Sequence, residues 1–371
     1  MTGSTIAVSA LSHIEQVRRR PGMYVGDTDD GSGIAHMVWE VVGNAVDQFL
    51  AGHCSEIQVR IEPDTSILVE DDGLGIRVDL EDGIPFLQRV LTELHHTPTR
   101  DGHAPHEHLV RGGLHGVGLC PVNALSQWLT IDSHRDGAHY RQTYARGVPM
   151  GPLQDLGQSD RRGVRIQFLP DPDIFRGGWI DPAPLAHRLR ELAFLLPGLR
   201  LGFVDQREHR FCARHGIADL VEERLAGRTS TPMFRLQTTA AAIHIDVAAV
   251  WTERLGSIDS YANVHPTRGG GSHVEGLLQG LVRGLARALA PAGRSVADLR
   301  QVIEAGLIAV VQVRLADPTF GAPTRDLLTT PAVCTVLSAA VAEAFADFLC
   351  ADVVALQVLR ARLPPGVEPP R

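Results

Sequence analysis

The chain has 371 residues, 44% hydrophobic and 21% charged, with 35 cationic against 43 anionic side chains and a formal net charge of −8. All 35 cations are arginine, which excludes a lysine phosphate loop, Schiff-base chemistry and any lysine nucleophile, since each needs a primary amine. The acidic balance argues against the whole chain being an electrostatic nucleic-acid binder but leaves room for a local basic patch.

The length predicts two domains. Cys54, Cys120, Cys212, Cys334 and Cys350 are odd in number and without a CxxC pair, a pattern expected of reduced thiols in the cytoplasm. No cationic, apolar leader opens the chain, and no run reaches the roughly 18 apolar residues of a membrane span, so a cytosolic protein without membrane contact is expected.

Residues 33–51 place Ile34, Met37, Val38, Val41, Val42, Ala45, Val46 and Phe49 at helical spacing, which predicts a core-packed helix. On its other side Glu40, Asn44 and Asp47 stand at i, i+4 and i+7 and share a face. Two strands are expected at Glu56–Ile61 and Thr65–Glu70, around a Pro63-Asp64 turn. The second runs into Asp71-Asp72-Gly73-Leu74-Gly75, a carboxylate at a sharp turn with two glycines that permit close backbone approach.

Residues 95–111 lack periodicity and hold five histidines (His95, His96, His103, His106, His108), which predicts a long polar lid; their spacing is not that of a zinc site. The glycine cluster Gly112-Gly113-Leu114-His115-Gly116-Val117-Gly118 then opens an apolar helix, where backbone N–H groups can seat phosphate oxygens. Residues 128–149 alternate about Arg135-Asp136-Gly137 and read as a hairpin, and Gly163–Pro170 reads as a strand.

After residue 205 the pattern restarts. A short helix (IADLVEERLAG) is followed by strands within 233–251, the loop Arg268-Gly269-Gly270-Gly271-Ser272-His273 and a helix over Val274–Leu289. The strand GLIAVVQVRL, the loop Asp317–Arg325 and a final helix from Pro331 to Leu349 complete the pattern. The proline-rich tail LPPGVEPPR stops helix and strand alike.

The order helix with E-x-x-x-N, strand with D-x-G-x-G, lid, then G-G-L-H-G-V-G before a helix resembles the Bergerat ATP-binding fold of gyrase B proteins, mismatch-repair MutL proteins and sensor histidine kinases. Longer strings, RRRPGMYVGDTDDGSG, NAVDQFLAGHC, GGLHGVG, VNALS and GLIAVVQVRLADPTF, narrow the resemblance to the DNA gyrase B family over essentially the whole chain. The resemblance implies an α+β fold: a Bergerat-type ATPase α/β sandwich over 1–227, then a smaller α/β transducer-like domain over 228–371.

It also implies ATP and Mg²⁺ as ligands. By resemblance Glu40 is the general base, Asn44 the magnesium residue and Asp71 the acceptor for the adenine amino group, with Asp47, Gly73, Gly75, Ile76 and Val164 around the base. Gly113, Leu114, His115, Gly116, Val117 and Gly118 supply phosphate-facing amides, Arg100 a lid contact, and Arg325 takes the place of the second-domain lysine at the γ-phosphate. Arg135 is expected at the pocket mouth, as a surface arginine or as part of the site.

The chain departs from the family pattern at several positions. Pro323-Thr324-Arg325 stands where Gln-Thr-Lys is usual, Gly163-Val164 where Gly-Thr is usual, Gln48 and Leu74 where a glutamate–arginine pair is usual, and Arg77 where a proline is usual; Pro121 sits early in the helix after the phosphate loop. No E-G-D-S-A motif of a DNA-cleaving domain is present, so a naturally short ATPase-plus-transducer protein is expected, without strand passage of its own. The expected activity is ATP binding and hydrolysis in a clamp that becomes a homodimer on nucleotide binding, with a gyrase A-like protein or DNA as possible partners. Two alternatives stay open: a repurposed ATP-dependent enzyme of specialised metabolism, and a non-catalytic decoy or immunity protein for gyrase inhibitors.

Overall fold

The computed structural model describes residues 12–94, 118–177, 179–289, 295–322 and 324–363. The chain divides into two compact units, Met1–Arg190 with Gly198–Cys212, and Glu191–Pro197 with Ala213–Arg371.

In the first unit α1 (His13–Arg19), α2 (Gly22–Val25) and α3 (Ser32–Leu50) precede β1 (Glu56–Ile61) and β2 (Ile67–Asp71). The small hairpin β3 (Leu80–Glu81) and β4 (Ile84–Pro85) leads to α4 (Phe86–Thr92), and α5 (Leu119–Ala124) opens the run β5 (Ser126–Arg135), β6 (Ala138–Ala145), β7 (Val148–Pro149), β8 (Gln154–Gln158) and β9 (Gly163–Pro170). After α6 (Pro182–Leu195), whose last turn from Glu191 is counted with the second unit, come β10 (Arg200–Val204) and β11 (Glu208–Phe211).

These strands form one sheet in the order β11-β10-β1-β2-β9-β5-β6-β7, with β8 also on β6. Its pairs are antiparallel except β1 with β10. The β5–β6 hairpin forms where the sequence predicts it, because Asp136 (φ 54°) and Gly137 (φ 80°) both take the left-handed region that a two-residue turn requires.

α3 appears over Ser32–Leu50 and packs on β2, burying Ile34, Met37, Val38, Val41, Val42, Ala45 and Val46. Ile57, Val59, Ile67, Val69, Leu129, Ile131, Ile166 and Phe168 are buried on the strands. In the sheet register Glu70 stands opposite Arg165, Arg165 opposite Asp132, and Asp132 opposite Arg141, so charge alternates across four strands. Such a row suits a polar sheet face, as opposite charges directly across a ladder attract.

The second unit comprises α7 (Ile217–Leu225), β12 (Phe234–Ala240), β13 (Ile243–Trp251), β14 (Ser257–Ala262), β15 (His265–Pro266), α8 (Ser272–Leu289), α9 (Val296–Glu304), β16 (Leu307–Arg314), α10 (Pro331–Ala351) and α11 (Val353–Ala361). The boundary expected from the sequence lies at 227. In the structure α7 falls in the second unit, because its buried Ile217, Leu220 and Val221 lie on a helix that packs on β13 and β16.

The sheet order is β12-β13-β16-β14-β15. Trp251, Phe234 and Phe345 centre the core, with the Trp251 and Phe345 rings 5.3 Å apart. α10 is long and apolar enough to cross a membrane, with a mean hydropathy of 1.7, a property not expected from the sequence. Its apolar side is used inside this unit: Val333, Leu337, Val341, Phe345 and Leu349 are buried in the core against α8.

Candidate functional site

The side chains singled out on α3 divide by burial. Glu40 is 2% exposed, and its Oε1 makes no hydrogen bond among the described residues. A buried carboxylate oxygen without a donor is costly and calls for an explanation. The ring of His36, one turn earlier, places Nε2 3.5 Å from Glu40 Oε1. The i, i+4 spacing of His36 and Glu40 is visible in the sequence, yet His36 is not among the expected site residues.

One turn after Glu40, Asn44 is exposed, and its Nδ2 donates to the Glu40 carbonyl at 3.1 Å. That bond occupies the amide nitrogen and leaves the side-chain oxygen as the group available for a hard cation. Asp47 is half-buried on the next turn. Among the described residues no three His, Cys, Asp or Glu side chains converge as a metal site.

At the end of β2 the two adjacent aspartates differ sharply. Asp72 accepts from Ser55 N at 2.6 Å, Ser55 Oγ at 2.6 Å and Glu56 N at 2.9 Å. Burial raises its pKa, but these hydrogen bonds outweigh that and bring it down to about 2. Asp72 is thus a brace between β1 and the turn.

Asp71 is pushed the other way, up to about 6. Burial is the main cause, exceeding the lowering by the backbone amides of Gly73 and Val164, and the charges of Asp72 and Glu70 add to it. The Gly73 amide donates to Asp71 Oδ1 at 2.8 Å. Val164, where the family usually has a hydroxyl side chain, still reaches Asp71 through its backbone.

The rest of the turn is sewn to β5. Ser133 Oγ accepts from Ile76 N and donates to Ile76 O, each at 2.8 Å, and Arg135 Nη1 donates to Gly75 O at 3.0 Å. Gly75 has φ 79°, and a Cβ there would lie 2.6 Å from the His134 carbonyl oxygen, so both conformation and space require glycine. At the altered pair, Gln48 Oε1 accepts from Leu74 N at 3.4 Å, so a neutral contact joins the two positions. Arg77, in place of the usual proline, packs its guanidinium 3.7 Å over the Phe86 ring and pairs with Asp79 at 2.7 Å.

Gly118, with φ 65°, is the N-cap of α5, whose third residue is Pro121. Gly113, Leu114, His115, Gly116, Val117, Arg100, Pro323 and the five lid histidines lie outside the described residues.

In the second unit Arg325 has φ 60° and sits in the turn closed by its amide on Ala322 O at 3.0 Å. The chain after it is pinned to the glycine-rich loop: Gly269 N donates to Asp326 O at 2.8 Å, Leu328 N to Gly270 O at 3.0 Å, and Ser272 N to Leu328 O at 2.9 Å. This glycine cluster thus accommodates a neighbouring backbone.

Residues 29–170 match the family profile described as histidine kinase-, DNA gyrase B-, and HSP90-like ATPase, and residues 216–362 match that of DNA gyrase B. The DNA gyrase B protein of Thermotoga maritima is 36% identical over 347 residues, which are 88% of this chain and 53% of the relative. That of Thermus thermophilus is 36% identical over 363 residues, 94% of this chain and 57% of the relative. The chain therefore spans about half the length of the curated relatives it matches.

Among solved structures, the 43K ATPase domain of Thermus thermophilus gyrase B in complex with an aminocoumarin superposes with a TM-score of 0.81 at 31% identity, over 95% of this chain and 94% of that one. The gyrase B protein from Myxococcus xanthus gives 0.79 at 26% identity, over 94% and 99%. With the two profiles matched in chain order and an ATPase domain of that family covered nearly end to end, this chain belongs to the DNA gyrase B family.

Proposed function

We propose that the chain binds ATP with Mg²⁺, hydrolyses it to ADP and phosphate, and acts as an ATP-driven clamp that dimerises on nucleotide binding. The observation that carries the hydrolytic part is the buried Glu40 carboxylate, whose Oε1 accepts no hydrogen bond among the described residues, one helical turn from an exposed asparagine.

A carboxylate so placed takes a proton from water as that water adds in line to the terminal phosphorus. The His36 ring at 3.5 Å serves to orient it. Asn44 fits the magnesium role, since the cation favours oxygen ligands and takes most of the remainder from phosphates and water. When bound, the ion would draw negative charge off the phosphate oxygens.

Asp71, fixed by the Gly73 and Val164 amides, accepts the adenine amino hydrogen, with Gly75, Ile76 and Asp47 completing the base-binding side. Gly113 to Gly118 and Arg100 serve the phosphates, and Arg325 the terminal one. A guanidinium fork in place of the family's lysine can contact two phosphate oxygens at once. A gyrase A-like protein or DNA is the partner class this reading implies; strand passage is not assigned to this chain.

The test is steady-state phosphate release by the wild-type chain and Glu40→Ala. The variant is expected to lose about 10²- to 10⁴-fold in kcat, the usual worth of a general base, while binding ADP within about twofold of wild type. Equal turnover by the two proteins would remove Glu40 from the chemistry.

A further inference from the structure

The turn after β2 is held by side chains. Among the described residues, the backbone groups of positions 73–76 make no hydrogen bond to another backbone group. Gly73 N donates to Asp71 Oδ1 at 2.8 Å and Leu74 N to Gln48 Oε1 at 3.4 Å, while Gly75 O accepts from Arg135 Nη1 at 3.0 Å. Both backbone groups of Ile76 go to a single hydroxyl, Ser133 Oγ, at 2.8 Å each.

These anchors are unequal. Gln48 and Arg135 are long and half-buried, so holding them costs rotamer freedom, and the Leu74 bond is long. Ser133 is short, 0% exposed and seated on β5, an interior strand paired with both β6 and β9. The alternation of β5 puts it on the same face as the buried Leu129 and Ile131. Its hydroxyl gives the turn what a neighbouring strand would give, an acceptor for the Ile76 N–H and a donor for the Ile76 carbonyl.

We propose that Ser133 is a positioning residue for the nucleotide: by carrying both backbone groups of Ile76, it sets the turn from Asp71 to Ile76 before the base arrives. The proposal rests on the reading above that this turn receives the adenine base. Ile76 has no other recorded backbone partner, so loss of the hydroxyl frees it. The base must then order the turn as it binds, and affinity falls. Glu40 and Asn44 stand on α3, so turnover at saturating ATP persists.

The experiment has two arms. In the first, amide hydrogen exchange of Ile76 is followed in the nucleotide-free wild-type chain, where the Ser133 bond should slow it at least about tenfold relative to an unprotected amide. In the second, wild type, Ser133→Ala, Ser133→Cys, Ser66→Ala and Asp71→Ala are compared by ADP calorimetry and ATP turnover, with thermal unfolding to confirm that each is folded. Ser66 is the matched control: it is equally buried, just ahead of β2, and bonded to Asp64 at 2.7 Å and Gln167 at 2.9 Å.

Ser133→Ala should weaken ADP and raise the KM for ATP about tenfold, the effect of losing bonds to two backbone groups, with kcat within about twofold of wild type. Ser133→Cys, a weak donor and acceptor of similar size, should lose about threefold, and remains informative if the alanine variant does not fold. Ser66→Ala should keep ADP affinity to within about twofold, since its contacts are remote from the turn.

An Ile76 amide that exchanges freely in wild type would overturn the positioning role. So would unchanged ADP affinity in Ser133→Ala where Asp71→Ala has lost it, an equal loss in Ser66→Ala, or a fall in kcat as large as the rise in KM. A protected Ile76 amide together with full ADP affinity in Asp71→Ala would identify the reading of the turn as the base site as the failure, and would reduce the Ser133 bonds to structural ones.

Discussion

Two adjacent carboxylates at the end of β2 are set to opposite tasks by the groups around them. Asp71, raised to about 6 chiefly by burial, is poised to change protonation near neutral pH. Since the folded chain holds that proton more tightly than the unfolded one, Asp71 favours folding at low pH, and the contribution is lost as pH rises through 6. The ionised form is the better acceptor for an adenine amino group. ADP affinity measured by calorimetry is therefore expected to fall as pH drops from about 7 to about 5, with a midpoint near 6 in the free protein, and Asp71→Asn should abolish that dependence.

Asp72 has the reverse sign. Its pKa of about 2, against an ordinary 3.8, gives stability that is present above the ordinary value and lost as pH falls toward 2. Asp72→Ala leaves the Ser55 and Glu56 amides without their acceptor, and urea unfolding near neutral pH should show a loss of about 2 kcal/mol. Asp71 and Gly75 are legible in the sequence as a strand running into D-x-G-x-G. The contacts that brace them are not, because Ser133 meets Ile76 and His265 meets Arg325 only through sheet register and loop packing, with no local signal at either end.

Among the elements, those with one dominant period can be read directly. α3 has a wide apolar stripe, and β5–β6 alternates about a turn, and both form within a few residues of expectation. In α6 the buried Leu185, Leu189 and Leu192 carry the same helical spacing, but Pro182, Pro184 and interleaved arginines dilute it. α11 follows α10 after one residue, Asp352, whose side chain caps it by accepting from Ala355 N at 2.9 Å, and it lies beyond the final helix expected over Pro331 to Leu349.

The α8–α10 contact depends on Gly276, Gly280 and Gly284, spaced four apart on one face of α8. A Cβ on Gly280 would lie 2.6 Å from Val341 Cβ. Gly280→Val must therefore spread two core helices, and thermal unfolding is expected to report a loss of about 1–3 kcal/mol, the usual cost of overpacking. An unchanged midpoint would mean that the helices have room the structure does not give them.

At the scale of the whole molecule, the absence of lysine has a bounded meaning. It removes lysine phosphate loops from consideration, while the family to which the chain belongs offers a site built on an asparagine, carboxylates and backbone amides. By resemblance Arg100 stands near the family's lid lysine and Arg325 takes the place of its second-domain lysine, and Arg325 Nη1 lies 3.1 Å from His265 Nε2. The α+β fold was legible across the whole chain because its motifs occur in a fixed order over both units; the boundary between the units was less so, since α7 has an amphipathic pattern that either neighbour could bury.

The proposed clamp unites these parts, because nucleotide bound by the first unit must change the association of whole chains. The measurement that tests it most directly is the mass of the full chain in solution by light scattering, with Mg²⁺ alone and with Mg²⁺ plus a saturating non-hydrolysable ATP analogue. The expected result is a shift from monomer toward dimer on addition of the analogue, reversed by its removal. A chain that binds the analogue in calorimetry and stays monomeric at the same concentrations would contradict the clamp.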